Sequence, residues 1–293
     1  MELYKVSLQL NSSLVTPLKG DTIWGHVVWG IANHEGDAAV TDFIKSCKEE
    51  EPAFVISSAF PQGTICRPIP KVQKRQKSMT PDKYAEIKKS KKLVYASAAD
   101  YFDDNTDGNQ KLGNPFEAMT VTHNSINRFS NTVADGMLYA ISETWSKCRA
   151  FDIYIATTYS VERIKQLCIW AFENGYGADA STGKGAISVI GEPELVRPKI
   201  KSNTYLALAP FVIPESFDIS DLRADTFVRN GKIGGAFASS MIPWKKTVVL
   251  FNEGAVFESQ KEIKVIGELL TDVHSDSRIC QSGFAPVIPI PEE

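Results

Sequence analysis

The sequence is short of the features that mark most catalytic and secreted classes. Its five cysteines (Cys47, Cys66, Cys148, Cys168, Cys280) are scattered, odd in number and without a Cys-x-x-Cys pair. That argues against a disulfide framework or a zinc site and for reduced thiols in a cytoplasmic protein. No apolar run approaches the length that spans a bilayer. Met1 to Val6 lacks the basic start and apolar stretch of a signal peptide. There is no His-Glu-x-x-His or Gly-x-Ser-x-Gly element, and His34 and His274 have no metal-ligand spacing. Neither a metal nor a cofactor is expected. Positive charge is not in excess: 32 Lys and Arg face 35 Asp and Glu, a net charge of −3. Such a chain does not coat nucleic acid indiscriminately, so any surface for a polyanion must be local.

At 293 residues, with 43% hydrophobic and 23% charged side chains, the chain has material for two modest cores. Tyr4, Val6, Leu8 and Leu10 alternate with polar neighbours, predicting a half-buried strand. Asp21 is positioned as an N-cap before Ile23, Trp24, Val27, Val28 and Ile31, which repeat at helical spacing. Val40, Phe43, Ile44 and Cys47 predict a second helix, and Ala53 to Phe60 a returning strand. Strand, helix and strand then recur at Arg149–Thr158, around Val161–Ala171 and at Ala186–Ile190. Two such passes fit α+β units of ferredoxin-like type. The proline-bearing, basic segment 193–202 reads as a boundary between an N-terminal domain over 1–192 and a C-terminal one over 203–293. Leu206–Val212, Thr247–Phe251, Ala255–Phe257 and Val287–Ile290 are strand candidates beyond it.

Charge is concentrated between Arg67 and Lys92. Ten basic residues (Arg67, Lys71, Lys74, Arg75, Lys77, Lys83, Lys88, Lys89, Lys91, Lys92) stand there against Asp82 and Glu86. Composition leaves two readings open, a solvated surface or contact with a polyanion. Thr80-Pro81 predicts the start of a short helix within the run. Asp103–Asn114 is polar and glycine-containing and reads as a loop.

The strongest local signal is the segment from Gly175 to Gly185. Gly175, Gly177, Gly183 and Gly185 free the backbone for close approach, and Ser181, Thr182 and Lys184 add donors. Ala178 and Gly185 occupy positions where a Walker loop needs glycine and a hydroxyl. Ala180 likewise breaks a dinucleotide fingerprint, so a nucleotide-binding enzyme is disfavoured and an RNA backbone fits better. Lys19 and Thr22 open the first helix, where free amides favour phosphate. Trp24 reads as core. His26 is a candidate acid–base group, although a lone helical histidine is more often structural. His123, Asn127 and Arg128 place an imidazole, an amide and a guanidinium together, a set able to bind RNA or to cut it.

In serial order these elements resemble the RAMP superfamily, in the branch that supplies the 5′-end-capping subunit of type III-A CRISPR (Csm) effector complexes. The matching segments are Lys19-Gly-Asp-Thr-Ile-Trp-Gly-His26, Ser58-Ala-Phe-Pro61 with Arg67-Pro68, His123-x-x-Ile-Asn-Arg128, Gly136-x-Leu-Tyr139 and the Gly175–Gly185 loop. Arg229-Asn-Gly-Lys232, Phe251-Asn-Glu-Gly-Ala-Val-Phe257 and Gln281-Ser-Gly-Phe-Ala-Pro-Val-Ile-Pro-Ile290 continue the match. The resemblance implies two ferredoxin-like, RRM-like modules with a glycine-rich loop and a basic thumb-like insertion. It implies a non-catalytic subunit that holds the 5′ tag of CRISPR RNA, meets target RNA indirectly, and docks a large nuclease–cyclase subunit and a repeated backbone subunit. Lys232 and Gln281 join the RNA-binding candidates on this ground. The runner-up is a RAMP endoribonuclease processing precursor RNA, with His26 or His123 as its acid–base group.

Overall fold

The computed structural model describes residues 1–71, 80–90, 92–102, 112–235, 237 and 241–292. The chain runs β1 (Glu2–Leu10), α1 (Gly20–Ser46), β2 (Phe54–Ile56), β3 (Phe60–Pro61) and β4 (Thr64–Cys66). It continues through α2 (Pro81–Ser90), β5 (Tyr95–Ser97), β6 (Phe116–Asn127), β7 (Thr132–Ser146), β8 (Ala150–Thr157) and α3 (Val161–Phe172). The second half holds β9 (Ile187–Leu195), β10 (Thr204–Ala207), β11 (Ile219–Arg223), β12 (Thr226–Arg229), β13 (Val248–Phe251), β14 (Val256–Ser259), β15 (Val265–Leu270) and β16 (Gln281–Pro289). The class is α+β, with strands dominant.

The first sheet has the order β2-β8-β1-β9, with β3 also pairing β8, and every pairing is antiparallel. The alternation in β1 works as the sequence predicts. Val6, Leu8 and Leu10 enter a core with Ile23, Val27 and Ile31 of α1 and Ile164, Leu167 and Cys168 of α3. Burying each large aliphatic side chain there contributes roughly 1.5–3 kcal/mol. Ser160 caps α3 by accepting a hydrogen bond from the Arg163 amide. α1 is two helices merged across Gly36, whose φ of 83° breaks the helical path between them.

Asp21 is not an N-cap. Lys19 holds that position without a side-chain cap, and Asp21 lies inside the first turn, buried. The predicted strand Ala53–Phe60 is divided into β2 and β3, because Ser57 and Ser58 turn away to bond Tyr154 and Leu208 backbone groups. β9 extends through Pro193 to Leu195, beyond the predicted strand end.

The second sheet, β11-β14-β10-β16-β15, is also antiparallel. Among the described residues of 203–293 no α-helix occurs, so this half does not repeat the strand-helix-strand pattern of the first. Its apolar strands instead find cover elsewhere. Leu206, Leu208, Val256, Ile288 and Ile290 share one core with Phe60, Ile65, Phe102 and Tyr154 from the first half.

Besides the short β4–β5 pair, two longer antiparallel ribbons lie outside the five-stranded sheets. β6 and β7 pair from Phe116↔Ser146 to Asn127↔Thr132, with a register shift between Asn124 and Ile126. β12 and β13 form the second ribbon. Its ladder continues irregularly through Lys245 N–H to the Gly231 carbonyl and the Lys232↔Trp244 bridge.

Candidate functional site

The first turn of α1, the glycine loop, the second ribbon and the start of β16 meet around Asp21. The Asp21 carboxylate accepts from Arg229 at 2.7 Å and from Gln281 Nε2 at 2.9 Å. Gln281 in turn accepts from Lys245 Nζ at 3.0 Å, and that ammonium also donates to the Cys280 carbonyl. Burial pushes the Lys245 pKa down from the ordinary lysine value. Lys19 donates to Asn252 and Glu253 and lies 5.4 Å from the centre of the Phe227 ring, over which the Arg229 guanidinium also sits. The cluster therefore holds three cations (Lys19, Arg229, Lys245) against two carboxylates (Asp21, Glu253), a local excess of positive charge. The buried Nε of Arg229 has no hydrogen-bond partner. Thr22 is half-buried at the same turn, next to the Tyr176 phenol of the glycine loop.

That loop is built for a fixed shape. Gly177 and Gly185 have φ of 76° and 64°. A Cβ at Gly177 would lie 2.5 Å from Thr16 Cβ, and one at Gly185 only 2.0 Å from the Tyr176 carbonyl oxygen. The Gly177 amide donates to His26 Nε2 at 3.1 Å, the Ala178 amide to Thr16 and the Gly185 amide to the Ser13 carbonyl. The amides of Thr182, Gly183 and Lys184 are bonded within the loop. These N–H groups are spent internally, so close backbone approach here packs the loop against β1 and α1. Ser181, Thr182 and Gly183 remain on the exposed side, with Thr182 donating to the Asp179 carbonyl.

His26 has a definite chemical state. Its Nε2 accepts from a backbone amide, which requires the neutral ring, and burial pushes its pKa down to about 4. A group held neutral in this way positions the loop and is poorly matched to acid–base chemistry near neutrality.

Lys184 points to the first ribbon. It forms an ion pair with Glu143, whose side chain is 1% exposed and also accepts from Ser13 at 2.8 Å. His123 Nε2 stands 3.8 Å from the same carboxylate, with its ring stacked on Tyr139. The Lys184 ammonium, first, and the Ser13 hydroxyl hold the Glu143 carboxyl below the usual carboxylate range. His123 and Lys184, 61 positions apart in sequence, are thus joined through a glutamate that sequence reasoning passed over. Glu143 occurs in a run of serine and threonine with no local motif, and only the register of β6 on β7 brings it there. Arg229, Lys245 and Tyr176 were missed for the same reason: their partners are distant in sequence.

The remaining candidates are dispersed. Asn127 builds the tip turn of the first ribbon, accepting from the Phe129 amide through its side chain and from Asn131 through its carbonyl. Arg128 is exposed beside it. Arg67 follows β4, and Lys71 pairs with Asp221 at 3.0 Å at the β11 edge of the second sheet. Lys74 and Arg75 lie outside the described residues. Lys232 lies on the second ribbon with its ammonium 5.9 Å from the Trp244 ring centre. Among the described residues no group of His, Cys, Asp and Glu has metal-binding geometry, and no helix is long and apolar enough to cross a membrane.

The first sheet also differs from an RNA-recognition domain in one geometric respect. RNA-recognition domains of RRM type stack bases on the open face of their sheet. Here the face of the first sheet opposite α1 and α3 is covered. Lys5, Asp152 and Tyr154 are buried on it, and Phe102 stacks on Tyr154 at 5.1 Å.

Compared with solved structures, the whole chain matches. A chain from the crystal structure of a Csm1–Csm4 cassette in complex with cA3 aligns with a TM-score of 0.58 and 12% identity, covering 99% of this chain and 100% of that one. A chain from the same cassette in complex with pppApA gives 0.56 and 13%, with the same coverage. The Csm3–Csm4 subcomplex of the type III-A CRISPR-Cas interference complex gives 0.55 and 11%, over the full length of both chains. The chain has the fold of these type III-A CRISPR subunits. No protein-family model and no curated protein matches its sequence.

Proposed function

We propose that the chain is a non-catalytic, RNA-holding subunit of a type III-A CRISPR effector complex, seated at the 5′ end of the guide RNA. The observation that supports it most is the full-length fold match joined to the cationic cluster at the first turn of α1. Lys19, Arg229 and Lys245 gather there from three distant segments, beside the rigid glycine loop. On this reading the first half is a ferredoxin-like unit, β1-α1-β2 and β8-α3-β9, with everything between β2 and β8 inserted. The thumb is the β6–β7 ribbon rather than the basic run near 67–92. That ribbon bears exposed Met119, Ile126, Phe129, Met137, Leu138 and Tyr139, and Arg128 is its only cation. Such a surface suits stacking and apolar contact with bases or neighbouring subunits more than phosphate neutralisation. Solved relatives were captured with Csm1 and with Csm3. A large subunit and a backbone subunit are accordingly the partners expected here.

The endoribonuclease reading loses ground on His26, whose acceptor role keeps it neutral, and on His123, whose Nε2 is buried against Glu143. The test is reconstitution of the effector complex with and without this chain, followed by digestion with a 5′-to-3′ exonuclease. The first nucleotides of the guide should resist digestion only when the chain is present. Equal resistance without it, or metal-independent cutting of repeat RNA by the purified chain, would refute the assignment.

A further inference from the structure

The second ribbon has a composition unlike the rest of the molecule. From Thr226 to Thr247 it contains Arg229, Lys232, Lys245 and Lys246 and no acidic residue, in a chain whose net charge is −3. Its strand segments are anchored from below. Lys245 turns inward to Gln281 and the Cys280 carbonyl, and Lys246 N–H bonds the Val273 carbonyl. Alternation along the strand then sends the neighbours of Lys245 outward. Trp244 is 59% exposed although its backbone is fixed through the bridge to Lys232. The indole is an aromatic surface on a fixed stretch of backbone, with an ammonium group beside it. Lys232 stands over the ring, and Lys246 is held only by an exposed pair with Asp272. Surface pairs of that kind contribute little and exchange readily for another anion.

An exposed aromatic plane with one lysine beside it and another two positions along the strand is an arrangement that binds single-stranded nucleic acid: the base stacks on the ring and the flanking phosphates meet the lysines. We propose that the paired part of this ribbon, β12 and β13 with the Lys232–Trp244 bridge, is a single-stranded RNA platform, with Trp244 stacking one base and Lys232 and Lys246 meeting the adjacent phosphates. The proposal rests on the RNA-holding function above and extends it from the inward cations Arg229 and Lys245 to the outer face of the same ribbon. The absence of acidic residues from 226–247 favours RNA over a protein partner, since a protein surface would gain little from the outward Lys232 and Lys246 unless it were itself acidic.

The experiment uses the full-length chain and a short, fluorescein-labelled single-stranded RNA of mixed sequence, followed by anisotropy across a salt series. Trp244→Ala should weaken binding by about tenfold while leaving the salt slope unchanged, because stacking releases no counterions. Trp244→Phe should retain most of the affinity but lose part of the tryptophan fluorescence quenching seen when RNA binds the wild type. Lys232→Gln and Lys246→Gln should each reduce the salt slope by about one. Wild-type affinity in Trp244→Ala, with the wild type binding RNA, would overturn the platform and leave the RNA-holding function standing. No binding by the wild type would remove both. Unchanged RNA affinity in Trp244→Ala together with lost retention of a co-expressed effector subunit would make this ribbon a protein-docking surface instead.

Discussion

Lys184 shows how a sequence-marked residue changes meaning once its partner is known. A lysine in a glycine-rich loop suggests a phosphate contact; here it neutralises Glu143, a carboxylate buried at the root of the first ribbon. Lys184→Ala leaves that carboxylate without its main partner and should cost about 2–3 kcal/mol in urea unfolding. Lys184→Ala combined with Glu143→Leu should recover much of the loss, since the unpaired charge is gone. A double variant as unstable as the single one would contradict the pairing. Gly185 and Gly183 offer a contrast within the same loop. Gly185→Ala must displace the Tyr176 backbone and should prevent the loop from forming, whereas Gly183→Ala meets open space and carries only the cost of a positive φ, about 1 kcal/mol. His26 adds a pH signature. Its folded pKa is depressed to about 4 from 6.5, so between those values the unfolded chain binds a proton that the folded chain refuses. Stability therefore falls as pH drops through that window, by roughly 3 kcal/mol in total, and is flat with respect to this group above it. His26→Gln should remove that portion of the pH dependence measured by chemical unfolding from pH 7 to pH 4.

At the scale of elements, periodicity read the first half well where local pattern and tertiary packing agree. β1, α1, β8, α3 and the start of β9 all have apolar spacing that matches their buried faces. The first ribbon escaped because most of its length lies outside any core, so its apolar residues follow no clean alternation around the Asn127–Asn131 turn. The resemblance implies a thumb-like role for the basic run, of which residues 72–79 lie outside the described residues. A ribbon of this kind is on the order of 40 Å long at about 3.3 Å per residue, and two strands alone are marginal in water. Backbone amides from Met119 to Tyr139 should thus exchange quickly in the isolated chain and slow markedly in the assembled complex. Strong protection in the isolated chain would mean that the ribbon is already packed and that its exposed apolar side chains await no partner.

The whole molecule is organised around one junction. Segments near residues 20, 177, 229, 252 and 281 converge on Asp21 and Lys19. The sequence marks each of them with a short polar and glycine-bearing motif but gives no sign of their contact, because ion pairs spanning more than 200 positions leave no local pattern. The two halves are also tied by a shared core, and the sheet face that an RRM would offer to RNA is covered by it. On the function proposed here, RNA is therefore held at the α1 junction and along the ribbons. The most direct measurement is photo-crosslinking of the effector complex purified through this chain, with sequencing of the attached RNA and identification of the crosslinked peptides. The account predicts RNAs that share one 5′ sequence ahead of diverse guides, with crosslinks in 13–29, 175–185 and 226–251. Random cellular RNA, or tagged RNA crosslinked only to other subunits, would contradict it.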